Sequence, residues 1–165
     1  MEIRRLNPED AVLYKALRLE ALQNHPEAFG SDYEAEKDRP VDQYATRFQS
    51  EQAATFGAFH EAQLVGVVTV VCSELDKMRH RANLFAMYVT PSIRKQQVGR
   101  RLVQEALRAL EERPWIEQVD LSVVRTNEAA KALYRSLGFE SYAIEPRALK
   151  IDGTYHDEEL MWYRF

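Results

Sequence analysis

The stretch "LFAMYVTPSIRKQQVGRRLV", Leu84 to Val103, decides how the chain reads. Its first half is rich in β-forming residues and stops at Thr90-Pro91, because proline cannot continue a ladder. Its second half opens a helix: Val98, Leu102, Val103, Ala106, Leu107 and Leu110 recur at helical spacing, and Pro114 follows the end. A strand that turns directly into a helix aims the helix's first free N–H groups at one point, and that point suits an anion. Arg94, Lys95, Arg100 and Arg101 surround it. Basic residues at a helix start oppose the macrodipole, which favours a bound anion.

A loop that cradles phosphates usually carries more glycine than Gly99 alone. Glycine there serves positive φ or close approach. Positive φ at Lys95 or Gln97 would cost about 1–2 kcal/mol. If both residues were α-like, that cost would vanish and only Gly99 would need to stay small. Other phosphate loops fit poorly, since neither GxxxxGK[ST] nor a GxGxxG in the first βα turn is present. On these residues alone, a charged helix start without a ligand is the competing reading.

Outward from this stretch the pattern alternates. "MEIRRL" precedes a helix start at "NPEDAVLYKALRLEAL", where Asn7 caps and Pro8 suits the first position. Val12, Ala16 and Leu19 form its expected apolar stripe, widened by Leu13 and Leu17. A polar and aromatic segment broken by Pro26, Gly30 and Pro40 follows, read as a loop plus one or two short helices, the second near Val41–Ser50. "AATFGAFH" and "QLVGVVTVVC" flank Glu61-Ala62 and read as a hairpin. "DKMRHR" reads as a solvated turn before the strand "RANLFAMYVT". Beyond the long helix come the strand "EQVDLSVVRT", a helix capped by Asn127 and stopped by Gly138, and two strands joined at Asp152-Gly153. The order is β-α-α-β-β-β-α-β-α-β-β, one mixed α/β domain over residues 1–165.

Composition narrows the classes. The 165 residues suit a single core, and 45% hydrophobic with 29% charged residues is ordinary for a globular chain. A net charge of −4 argues against nucleic acid as the main partner. No apolar run could span a bilayer, so no membrane association is expected. The absence of an apolar signal core at the N-terminus predicts a cytoplasmic protein. The single cysteine, Cys72, lies in an apolar run and reads as a buried strand residue, with no metal-ligand partner at zinc-like spacing. No metal is expected.

Taken together, the pieces resemble the GNAT-type N-acetyltransferases, in their small-substrate branch. "LFAMYVTPSIRKQQVGRRLV" is similar to the family's acetyl-CoA segment, a strand ending in V-x-P and then a [QR]-x-x-G-x-[GA] loop. Arg94, Gln97 and Gly99 occupy the marked positions, so Gln97 replaces the middle glycine. "VRTNEAAKALYRSLGF" resembles the second signature, N-x-x-A-x-x-L-Y-x-x-x-G-F, at Asn127, Ala130, Leu133, Tyr134, Gly138 and Phe139. The tail "PRALKIDGTYHDEELM" looks like the closing hairpin of small-substrate members. The resemblance implies a central, mostly antiparallel seven-stranded sheet flanked by helices. It implies that main-chain groups of Met87, Tyr88 and Val89 meet the cofactor arm. The loop Arg94, Lys95, Gln96, Gln97, Val98, Gly99 and Arg100 would hold the diphosphate. Asn127 would touch the arm, and Tyr134 would lie beside the thioester sulfur.

The spacing agrees independently, since Asn127, Ala130 and Tyr134 share one helix face. As structural roles alone, Asn127 would be a helix cap and Tyr134 a core residue. The implied activity is transfer of acetyl from acetyl-CoA to a primary amine of a small molecule or peptide by direct attack on the thioester. The alternatives are a non-catalytic acetyl-CoA-binding sensor of the same fold and a nucleotide-binding protein using the basic patch. Tyr134 is the expected acid. For the base, Glu34 leads over Glu36, Glu20, His156 and Glu158. The acidic run Asp32, Glu34, Glu36 suggests a cationic acceptor, while Phe29 and Tyr33 are alternatives as an apolar lining. The final strand, with Trp162 and Tyr163, offers an edge for a homodimer.

Overall fold

β-rich and helical stretches alternate along the chain, and the backbone follows them. The computed structural model describes all of residues 1–165. Strand β1 (Glu2–Arg5) leads into a 3-10 turn, Pro8–Asp10, capped by Asn7. Helices α1 (Ala11–Asn24), α2 (Tyr33–Glu36) and α3 (Val41–Phe48) follow. Then come β2 (Ala53–His60), β3 (Gln63–Cys72), β4 (Arg81–Val89), α4 (Val98–Glu111), β5 (Gln118–Val124), α5 (Glu128–Ser136), β6 (Glu140–Ile151) and β7 (Thr154–Arg164). The sheet runs β1-β2-β3-β4-β5-β7-β6, and only the β4–β5 pair is parallel. The mixed α/β, mostly antiparallel seven-stranded architecture is thus the expected one, with the single-turn α2 and then α3 as the two short helices before β2.

Two cores hold the layers. Val68, Leu102, Val103, Ala106, Val119, Phe139 and Met161 pack α4 and α5 onto one face. Leu6, Tyr14, Leu17, Tyr44, Phe48 and Val67 pack α1 and α3 onto the other. Each large side chain buried here removes apolar surface worth about 1.5–3 kcal/mol from water.

Two expectations fail. The buried stripe of α1 is Ala11, Tyr14, Leu17 and Ala21, while Val12 is 65% exposed and Ala16 also faces solvent. Apolar residues lie all round this helix, so its phase is set by Tyr14, whose ring meets Tyr44 and Phe48 edge-on at 5.2 Å. The final strand is also not an edge. β7 lies between β5 and β6, so it has no free ladder for a second copy. The edge strands are β1 and, beyond β7, β6.

One buried ion pair ties the helices together. Glu36 is 2% exposed. It accepts from Arg18 Nη2 at 3.1 Å and from the Tyr44 hydroxyl at 2.8 Å. Burial raises the Glu36 pKa, but the Arg18 and Tyr44 hydrogen bonds outweigh it and bring it to about 2. Burial, with the same carboxylate as partner, pushes the Tyr44 phenol up to about 12. Because the folded value lies below the unfolded one, the stabilisation is complete above the ordinary carboxylate range. It is lost as pH falls toward about 2. Glu36→Gln is expected to destabilise the fold by about 3 kcal/mol at pH 7, where Arg18 loses its partner. In urea unfolding, the gap from wild type should shrink between pH 5 and pH 2. A gap independent of pH would show that Glu36 is not held as the anion.

Candidate active site

The parallel pairing of β4 with β5 covers only Arg81–Asn83 against Gln118–Asp120. Arg81 Nε donates to Asp120 at 3.1 Å and locks that end. Beyond it, β5 stays with β7 through Val124 while β4 departs. The departure has a local cause. Between Val67 and Thr69 of β3, β4 inserts an extra residue between Tyr88 and Phe85, and Ala86 takes φ 52°. Such a bulge bends its strand. Main-chain groups of β4 that face β5 past Asn83 therefore have no strand partner.

The split opens a cleft of about 540 Å³ that passes through the sheet. Leu84, Phe85, Ala86 and Met87 line one side and Ser122, Val123 and Val124 the other. Asn127, Ala130 and Tyr134 close it from α5, and Arg18, Phe29 and Arg47 from the opposite helices. A larger groove of about 940 Å³ lies between α5 and the β6–β7 hairpin. It is shallower and touches neither β4 nor Tyr134, so the through-sheet cleft is the better candidate.

On α5 the spacing works as expected. The Asn127 side-chain oxygen accepts from Ala130 N at 3.1 Å, so Asn127 is the helix cap, and its amide nitrogen remains unpaired at the cleft. Tyr134 is 5% exposed and edge-on to Phe139. Its hydroxyl has no hydrogen-bond partner in the chain, yet it is not sealed from the cleft. Burial pushes its pKa well above the ordinary phenol value, so it holds its proton.

At the start of α4 the backbone is strained. Lys95 has φ 64° and the N-cap Gln97 φ 59°, both left-handed. The α-like alternative is therefore overturned, and these two side chains occupy positions that favour glycine. No side chain caps the helix. The first helical bond runs from Arg101 N to Gln97 O, leaving the N–H groups of Val98, Gly99 and Arg100 open. A left-handed residue ahead of a right-handed turn gathers such groups into an anion-binding concavity. Gly99 serves close packing: a Cβ there would meet the Met87 methyl at 2.7 Å and Leu133 at 3.3 Å. It seats the helix start against β4 and α5.

The basic cluster does not converge. Arg94 Nε donates to Val89 O at 2.9 Å, and its guanidinium reaches His25 Nε2. Arg100 donates to Ser136 Oγ at 2.8 Å and Arg101 to Met1 O. Lys95 makes no such contact and, like Gln96 and Gln97, is exposed.

The acids separate. Tyr88 packs into the α1–α3 core, and its hydroxyl donates to Glu20 at 2.9 Å, as Thr90 does at 3.1 Å. Glu20 is thus a strut. Asp32 caps α2 through Ala35 N at 2.7 Å. Glu34 is three-quarters exposed and ion-paired to Lys37, outside the cleft lining. His156 borders the shallow groove. Of the candidate bases, only Glu158 lines the cleft. Phe29 lines it and Tyr33 does not. Sequence reading missed Arg18, Arg47, Phe85 and Ser122, because a charged helix face gives no sign of which surface it meets.

The split between β4 and β5, the uncapped start of α4 and the partnerless phenol of α5 are the chemical features this part of the molecule presents. The sequence profile of the acetyltransferase (GNAT) family matches residues 17–139, and the chain belongs to that family. Solved structures agree in fold. A GNAT-family acetyltransferase from Streptococcus pneumoniae superposes with a TM-score of 0.90 at 22% identity over 99% of each chain. A probable acetyltransferase from Staphylococcus epidermidis gives 0.81 at 27% identity over 99% of this chain and 98% of that one. A putative acetyltransferase from Salmonella typhimurium, solved with acetyl-CoA, gives 0.87 at 18% identity over 99% and 93%. No functionally curated protein matches the chain in sequence.

Gln97→Gly should relieve the left-handed strain and raise stability by about 1 kcal/mol in urea unfolding, with CoA affinity kept. A loss of stability would mean that the Gln97 side chain makes a compensating contact.

Proposed function

We propose that the chain transfers the acetyl group of acetyl-CoA to a primary amine of a small molecule or peptide, by direct attack on the thioester. The observation that carries this reading is the Tyr134 hydroxyl: buried, protonated and without a partner at the wall of a cleft bounded by a partnerless strand edge. A pure binding module has no use for a proton donor there.

The residues fit acetyl-CoA on their own chemistry. The open N–H groups of Val98, Gly99 and Arg100 would hold the diphosphate, with the loop Arg94–Gln97 around it. The edge at Met87, Tyr88 and Val89, which has no partner strand on the β5 side and whose Val89 carbonyl accepts from Arg94 Nε, would pair with the pantetheine arm as a strand would. The Asn127 amide nitrogen faces the same space. Acetyl-CoA supplies the activated carbonyl and a thiolate leaving group.

The chain then has three tasks. An amine of ordinary pKa near 10.4 arrives as ammonium and must lose a proton. Glu158, unpaired in the cleft, accepts it in place of Glu34 and releases it to solvent, then takes the second proton that the nitrogen sheds as the amide forms. As the amine nitrogen bonds to the carbonyl carbon, main-chain N–H groups near the β4 bulge stabilise the oxyanion. When the carbon–sulfur bond breaks, Tyr134 gives its proton to the thiolate and regains one from solvent. No covalent enzyme intermediate is needed.

Tyr134→Phe keeps the ring and removes only the donor. It should retain acetyl-CoA binding by thermal shift and lower kcat for CoA-thiol release by about 100-fold. Unchanged turnover would remove Tyr134 from the chemistry.

A further inference from the structure

The charges inside the cleft are few, and their arrangement narrows the acceptor. Its titratable lining groups are Arg18, Arg47, Glu158 and Tyr134. The acidic run that suggested a cationic acceptor is spent elsewhere. Asp32 caps a helix, Glu34 pairs with Lys37, and Glu36 is buried against Arg18.

The two arginines come from the α1 and α3 side. Arg18 gives Nε and Nη2 to Glu36 and lies 5.0 Å over the Phe29 ring. Its Nη1 has no partner in the chain, and no buried side-chain nitrogen is left unsatisfied, so Nη1 is open to the cleft. Arg47 has no ion pair and no side-chain hydrogen bond; its guanidinium sits 5.7 Å from the Tyr44 ring. Glu36 stays ionised and offsets the charge of Arg18. The net excess on this side is one positive charge, with donors from two guanidinium groups. That matches a single carboxylate better than a dianion.

The opposite wall carries the reverse sign. Glu158 pairs in register with Val124 on one side and directly with Glu145 on the other. Neither carboxylate has a cationic partner in the chain, and residues directly opposite in antiparallel strands share a face. An ammonium group between Glu158 and the thioester would be held where its proton must leave.

We propose that the acceptor is a zwitterion, an amine that also bears a carboxylate, with the carboxylate bound by Arg47 and Arg18 and the amine directed to Glu158. This inference rests on the acetyl-transfer reading and specifies its substrate class. A polyamine would set a second cation against the unpaired Arg47. An uncharged amine would leave that guanidinium without a partner.

The test is CoA-thiol release from acetyl-CoA over the free amino acids, their α-carboxamides, putrescine and spermidine. The best amino acid should exceed its own carboxamide at least tenfold in kcat/KM, and the polyamines should be poorer still. Arg47→Gln leaves the buried Arg18–Glu36 pair in place, and it should bring the acid-to-amide ratio below twofold. Retention of the full ratio in Arg47→Gln would overturn the assignment. Thiol release that favours carboxamides or polyamines would overturn the zwitterion while leaving acetyl transfer standing. Absence of thiol release with every amine would overturn acetyl transfer itself.

Discussion

A parallel strand pair that stops after a few residues is what the rest of this molecule depends on. β4 and β5 share a short ladder at Arg81–Asn83 and then separate. Abandoning a ladder leaves backbone polar groups unpaired, and each such group, if buried dry, costs free energy comparable to a lost hydrogen bond. The chain keeps those groups wet, at the edge of an open cleft. The kink that makes the opening is a bulge with alanine, not glycine, in the left-handed region. The strain is local, and the flanking cores hold it. β3 binds β4 from behind, and β7 binds β5 along its length.

The same economy governs the loop after β4. Lys95 and Gln97 hold left-handed backbone that glycine would adopt freely. A helix start left uncapped and strained is unfavourable by itself, and an anion bound over its free N–H groups would offset both terms. The arginines near it act differently from a simple electrostatic cluster. Arg94 clamps the end of β4, and Arg100 ties α4 to Ser136 at the end of α5. Their first effect is to tie the end of β4, the loop and the two helices to one another.

Much of this was legible in the sequence, for identifiable reasons. Pro91 ends a strand because it lacks an N–H, and Asp152-Gly153 makes a hairpin through positive φ at both positions. Asn127 and Gly138 bracket α5 through local hydrogen bonding that needs no tertiary context. The phase of α1 was not legible, because a helix apolar on most of its surface is oriented by aromatic contacts from α3. The place of β7 inside the sheet was hidden as well, since strand order is a property of the whole topology. Among the acids, sequence proximity misled. Asp32, Glu34 and Glu36 lie together in the chain but do a cap's, a surface pair's and a buried strut's work. Glu158, far away in sequence, faces the cleft. Arg18 and Arg47 gave no signal, because their surroundings are assembled from three helices and a strand edge.

The most direct measurement is a crystal structure of the chain with coenzyme A. The account predicts diphosphate oxygens within hydrogen-bonding distance of the Val98, Gly99 and Arg100 amides, and the pantetheine arm running along Met87 to Val89 toward Tyr134. A diphosphate bound elsewhere, or an arm lying in the groove between α5 and the last hairpin, would contradict it.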